Sequence, residues 1–241
     1  MPDSNTVPVP ANPAALGLVG FGFTTILLSL INAGMLPAGG EGVVVPLALA
    51  FGGLIQLIAG LLEVRLANTF GMTAFLSYGA FWLWFGLLQI FAHTGVIDIS
   101  SAGPTVGVAL ILWGVLTLGL WISTFRLARI VFLIFLTLWP TFFLLGMGAA
   151  LGQPALGHLG GWLSLLCGSL AMYGSFASRS IWTATVVRGI CISDKMPSCI
   201  RAPPDAANTM KGDFFSSASS MPRTIASPAA MPSEPPMKSK S

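Results

Sequence analysis

The chain has 241 residues, of which 54% are hydrophobic and only 8% charged, with a mean hydropathy of +0.84. Soluble domains carry about a quarter charged residues, so a chain this poor in charge cannot cover a water-facing surface and must use lipid as solvent for much of it. The net charge of +3 is mild, and the basic residues lie outside the apolar segments, which argues against nucleic acid as a partner.

The N-terminal run MPDSNTVPVPANP contains an acid and no Lys or Arg. A secretory signal needs a basic start, so the first apolar segment is expected to remain as a membrane helix, with residues 1–14 as a cytosolic N-terminal segment. A hydrocarbon core about 30 Å thick takes about 20 apolar residues as a helix. Six stretches qualify: 15–36, 44–66, 71–94, 104–124, 128–151 and 158–182. Backbone groups in lipid must be paired internally, so the expected fold is all-α, an integral membrane bundle of six transmembrane helices over residues 15–185. From about Ile192 the composition turns to Ser, Pro, Ala and Met with scattered charge. Such a segment buries too little apolar surface to order itself, and 186–241 is expected to be a disordered cytosolic tail. Cys167 lies in an apolar segment, while Cys191 and Cys199 lie in the tail, a spacing that fits neither a disulfide framework nor a zinc site.

Six spans place both termini and the 2–3 and 4–5 loops on one side. That side holds all 11 Lys and Arg residues, from Arg65, Arg126 and Arg129 through the tail to Lys240. The other loops carry Glu41 and Asp98 instead. The positive-inside rule makes both termini cytosolic, and the plasma membrane is the expected location.

The membrane region is nearly free of ionisable groups. Glu63 and Arg65 fall at the cytosolic end of the second helix, and His93 and His158 at outer ends. No carboxylate pair, metal cluster, nucleophile–base pair or P-loop is present in the sequence, so no enzyme, metal or cofactor is expected. An ionisable relay is also missing, which points to passive or weakly coupled movement of a small solute. Polar or small residues recur at helical spacing on three helices: Phe21, Thr25, Leu28 and Asn32; Gly52, Gln56, Gly60 and Glu63; Gly161, Ser164, Gly168, Ala171 and Ser175. For the small residues, close helix packing is the favoured explanation. An amide facing lipid is costly, so Asn32 and Gln56 are expected to face a partner or a wet cavity. Asn12-Pro13 opens the first helix, with Asn12 as N-cap and Pro13 at the first helical position, and Asn68-Thr69 precedes the third. The free N–H groups of such helix starts suit a carboxylate where they open into a cavity, although ordinary capping explains the same residues.

Several motifs recur in order. They are Asn12-Pro13-Ala14-Ala15-Leu16-Gly17-Leu18 with Gly20-Phe21-Gly22-Phe23-Thr24-Thr25; Gly52-Gly53, Gln56 and Ala59-Gly60-Leu61-Leu62-Glu63; and Asn68-Thr69-Phe70-Gly71-Met72-Thr73-Ala74-Phe75 with Ser77-Tyr78-Gly79-Ala80-Phe81-Trp82. Over about residues 12–185 the chain resembles the acetate uptake transporter family, the succinate–acetate permeases. It departs from the family pattern at Ala15, where the family has Pro. The resemblance implies a homo-hexamer in lipid, each subunit with its own pore, and acetate and related small mono- or dicarboxylates as substrates, with or without protons. It implies a constriction at Phe21, Tyr78 and Leu138, the last located by counting from Ala128-Arg129. Asn12, Thr24, Thr25, Asn32, Gln56, Glu63, Asn68, Thr69 and Ala171 are the expected substrate path. An apolar ring there disfavours hydrated ions, and the Tyr78 hydroxyl is expected to offer a carboxylate one hydrogen bond in passage.

Two other readings compete. Asn12-Pro13-Ala14 invites an aquaporin-like channel for neutral solutes, but the motif occurs once, opens a full span, and no Arg lies inside the membrane. A non-transporting membrane scaffold would have no path through the subunit. Ammonium export, linked to some relatives, is favoured by a pore of acceptors over donors.

Overall fold

The structure, a computed structural model, describes residues 11–178. The first ten residues, Trp182 and the expected tail at 186–241 lie outside the described residues. Among those described, all regular structure is helical. Six helices are long and apolar enough to cross a membrane. They are α1 (Pro13–Asn32), α2 (Ala38–Arg65), α3 (Thr69–His93), α4 (Ile99–Ser123), α5 (Arg129–Leu151) and α6 (Pro154–Phe176).

Helix ends depart from the expected ones for local reasons. Asn12 caps α1, its Oδ1 accepting from the Ala14 N–H at 3.0 Å, with Pro13 in the first turn. The helix thus starts two residues before the expected boundary at 15. It stops at Asn32 because Gly34 adopts φ +76°, and the N–H groups of Met35 and Leu36 turn back to the Leu30 carbonyl. Helices commonly end this way, since only glycine enters the left-handed region without a Cβ penalty. α2 ends on the same device with an alanine: Ala67 has φ +54°, its N–H donating to the Val64 carbonyl and that of Asn68 to the Glu63 carbonyl. α4 begins at Ile99 rather than at Pro104, which lies inside it; the Asp98 carbonyl accepts from the Ala102 N–H and the Ser101 hydroxyl. α6 starts on Pro154 and ends at Phe176, earlier at both ends than its hydropathy implied.

The feature hydropathy did not reveal is inside α2. A 3-10 turn at Ala38–Gly40 leads into α-helix at Glu41–Leu47, a π-helical run at Ala48–Ile55, and α-helix again at Gln56–Arg65. Pro46, which has no N–H to give the ladder, stands just ahead of the π run. Val44, Ala48, Gly52, Gln56 and Gly60 are all buried and lie four residues apart. In α geometry a step of four overshoots a turn by about 40°, so this stripe would wind away from its neighbours. The wider i→i+5 turns absorb the excess and keep the stripe against α1 and α3.

Neighbouring helices pack in the order α4, α5, α6, α1, α2, α3, and α3 touches α4 only lightly. The α1–α6 seam is close. A Cβ at Gly161 would fall inside the backbone of Asn32 and Ala33, and the Ser29 and Ser164 hydroxyls meet across it at 2.6 Å. Packing therefore explains the small-residue stripe of α6. At its end the Ser175 hydroxyl donates to the Ala15 carbonyl at 2.7 Å, which ties the end of α6 to the start of α1. Arg65 and Arg129 lie at helix ends on that same face, with Arg126 in the turn after α4.

Candidate functional site

Phe21, Gln56, Tyr78 and Leu138 come from four different helices, yet counting 1.5 Å per residue places each about 12–14 Å from the basic face. That is near the middle of a core about 30 Å thick. All four line one cavity of about 20 Å³, walled otherwise by apolar groups including Leu18, Phe70, Phe75 and Phe135. A cavity of that size holds about one water and is too small for a carboxylate.

Aromatic rings cluster at this point. Phe70 meets Phe135 at 5.2 Å, Phe135 meets Tyr78 at 6.0 Å, and Phe21 meets Tyr78 at 5.7 Å. Phe142 lies nearly parallel to Tyr78 at 6.4 Å and edge-on to Phe81 at 5.2 Å. Offset and edge-to-face pairs of this kind favour fixed ring positions. The Tyr78 hydroxyl does not face the cavity's open space unpartnered. It donates to Thr117 Oγ1 on α4 at 3.0 Å, and Thr117 in turn donates to the Trp113 carbonyl at 2.6 Å.

The remaining candidates are spread through the bundle. Gln56 is buried, with Oε1 lacking a hydrogen-bond partner; Thr25 Oγ1 shares that condition one turn beyond Phe21. Thr24 donates to the Gly20 carbonyl at 2.9 Å and backs onto Gly52 and Trp82, so it serves the α1–α2–α3 junction. Asn32 is half-buried at the far end of α1, where its backbone meets Gly161. Glu63, buried near the basic face, accepts from Asn68 Nδ2 through Oε2 at 2.8 Å, while its Oε1 has no partner. Asn68 also caps α3 through Gly71 N–H at 3.1 Å, and Thr69 is exposed at the start of α3. Ala171 is fully buried in the apolar core.

Sequence reasoning passed over Phe135, Phe142 and Thr117. The first two sit in a run where nearly every residue is apolar, and Thr117 stands alone in a lipid-like segment, so no periodic signal separated them from packing residues. Around the cavity the arrangement offers apolar walls, an unpaired oxygen of Gln56 in the lining, and no Lys or Arg among the described residues at that depth.

The chain matches the model of the GPR1/FUN34/yaaH family over residues 3–188. It is 44% identical over 163 residues to the succinate-acetate/proton symporter SatP of Escherichia coli K12, covering 68% of this chain and 85% of the relative. It is 40% identical to ammonia transport outward protein 2 of Saccharomyces cerevisiae, with 69% and 61% covered. Among solved structures, that of the bacterial acetate channel SatP matches with a TM-score of 0.68 at 40% identity, over 73% of this chain and 95% of the other.

Proposed function

The chain belongs to the GPR1/FUN34/yaaH family, and from that premise we propose that it is a membrane channel or proton-coupled carrier for acetate and related small mono- or dicarboxylates, not an enzyme. The observation that carries the proposal is the convergence of Phe21, Tyr78 and Leu138, at one depth, on a cavity too small for the solute. We take this as the constriction of a path within one subunit. Closure by apolar rings leaves hydrated ions no substitute for their water, and the lack of a fixed cation beside it keeps carboxylate binding weak enough for release. Gln56 and Thr25 supply the polar contacts next to the closure, and Asn12, Glu63, Asn68 and Thr69 belong to its approach from the basic face. That face is the cytosolic one, by the placement of Arg65, Arg126 and Arg129, in the plasma membrane. Six copies, each with its own path, form the assembly that the family resemblance implies.

Uptake of labelled acetate by purified protein in liposomes tests the function. Uptake above that of empty liposomes is expected, and stimulation by an inward proton gradient identifies a carrier rather than a channel. Absence of uptake in both conditions refutes the proposal. A second reading, ammonium passage, draws on the unpaired oxygens of Gln56 and Thr25, which accept from a cation's N–H groups, and on the 40% identity to an ammonia transport protein. Ammonium flux exceeding acetate flux in the same liposomes would favour it.

A further inference from the structure

We infer that Thr117 is a positioning residue of the constriction, which holds Tyr78 in the closed arrangement through the hydroxyl's only proton; the inference rests on the transport function proposed above. The argument is a count of protons. A threonine hydroxyl has one, and that of Thr117 goes to the Trp113 carbonyl one turn back at 2.6 Å. Thr117 therefore meets Tyr78 only as an acceptor, and the proton in the 3.0 Å contact is the tyrosine's. Both groups are buried, with Thr117 fully so.

Three aromatic rings pack around Tyr78 while the hydroxyl anchors its end. Phe142 lies nearly parallel to it, and Phe21 and Phe135 meet it at tilted angles. Rotation that widens the path breaks the Tyr78–Thr117 bond, and in a buried site each orphaned partner costs free energy. A carboxylate arriving at the closure can take the same proton and compensate the loss. Thr117 and a carboxylate thus compete for one donor, so the constriction opens more readily to an anion able to accept a hydrogen bond than to an apolar solute of equal width. The anchor stands on α4, which otherwise meets α3 mainly where Trp113 packs on Phe81 and Trp84 at 5.3 and 5.2 Å. Trp113 thereby fixes both the interhelix contact and the carbonyl that orients Thr117.

The test is acetate flux in liposomes for Thr117→Val and Thr117→Ser, each in the native and in the Tyr78→Phe background. Thr117→Val removes the acceptor at nearly constant shape and should raise the initial rate about three- to tenfold, the value of one neutral hydrogen bond. Thr117→Ser keeps the oxygen and should match the native rate. In the Tyr78→Phe background Thr117→Val should have no further effect. Should Thr117→Val not fold, Thr117→Ala removes the same oxygen without added bulk. The chain has two tyrosines, and Tyr173 is exposed, so Tyr173→Phe leaves Tyr78 as the only vibrational reporter. Its ring–oxygen band should move from the donor to the free position in Thr117→Val. Native protein that carries acetate, with Thr117→Val unchanged or slower, overturns the inference whatever the band does. An equal effect of Thr117→Val with and without the Tyr78 hydroxyl also overturns it. Native protein that carries no acetate overturns instead the function on which it rests.

Discussion

Tyr78→Phe keeps the ring among Phe21, Phe135 and Phe142 and removes one oxygen. A hydroxyl standing free in the path and bonding a carboxylate only at the barrier would contribute about 1.5–3 kcal/mol, so its loss would slow passage by roughly one to two decades. The structure changes that magnitude, because the proton is already committed to Thr117 at 3.0 Å. Passage exchanges a neutral bond of about 0.5–1.5 kcal/mol for the charge-assisted one. The phenylalanine loses the second and is relieved of breaking the first, leaving a net penalty of about 1 kcal/mol, or five- to tenfold in rate. The assay is the initial rate of labelled acetate uptake into liposomes at saturating acetate, normalised to inserted protein. A hundredfold fall would mean that the hydroxyl reaches the carboxylate without giving up a partner. An unchanged or faster rate would mean that the carboxylate never uses it.

Leu138→Ala removes three carbons from the closure and should let longer straight-chain carboxylates compete with labelled acetate, at a cost of about 2–5 kcal/mol in stability; unchanged competition would place size selection elsewhere. Ala67→Gly relieves a left-handed backbone at φ +54° and should stabilise the protein by about 0.5–1 kcal/mol, seen as a higher melting temperature in detergent. Glu63→Ala orphans Asn68 Nδ2 and should cost about 1–3 kcal/mol, whereas Glu63→Gln keeps an acceptor and should melt near the native temperature. A C-terminal tag should be unreachable from outside sealed cells; labelling there would reverse the assigned orientation.

Hydropathy made the six spans legible because lipid demands a length and an apolarity that few other contexts do. It misjudged their ends, since those depend on single backbone conformations, such as Gly34 and Ala67 in the left-handed region, which apolar averages do not register. The π run of α2 was hidden because its residues read as ordinary apolar helix, and its cause lies in facing helices. The motifs marked Phe21 and Tyr78, and counting reached Leu138, but only the family resemblance singled them out from packing residues. The cost of a buried amide pointed to Gln56, which lines the cavity, and equally to Asn32, which does not. Thr24 and Thr69 shared the motifs without reaching the cavity, because a motif also carries residues that pack helices or begin them. Thr117 was illegible: its role depends on a proton passed between helices distant in sequence.

The mixed geometry of α2 also uncouples its length from its rotational phase. Each residue of an α-helix advances the helix by about 100°, whereas the wider turns of the π run at Ala48–Ile55 hold about one residue more over the same rotation. Deleting one residue there would let the run relax to α geometry with Glu41 still facing Gln89, whose Nε2 donates to Glu41 Oε2 at 3.1 Å. Gln56, Gly60 and Glu63 would keep their places against α3. The half of α2 away from the basic face can thus lose a residue at this point without re-aiming the residues at the bundle's centre.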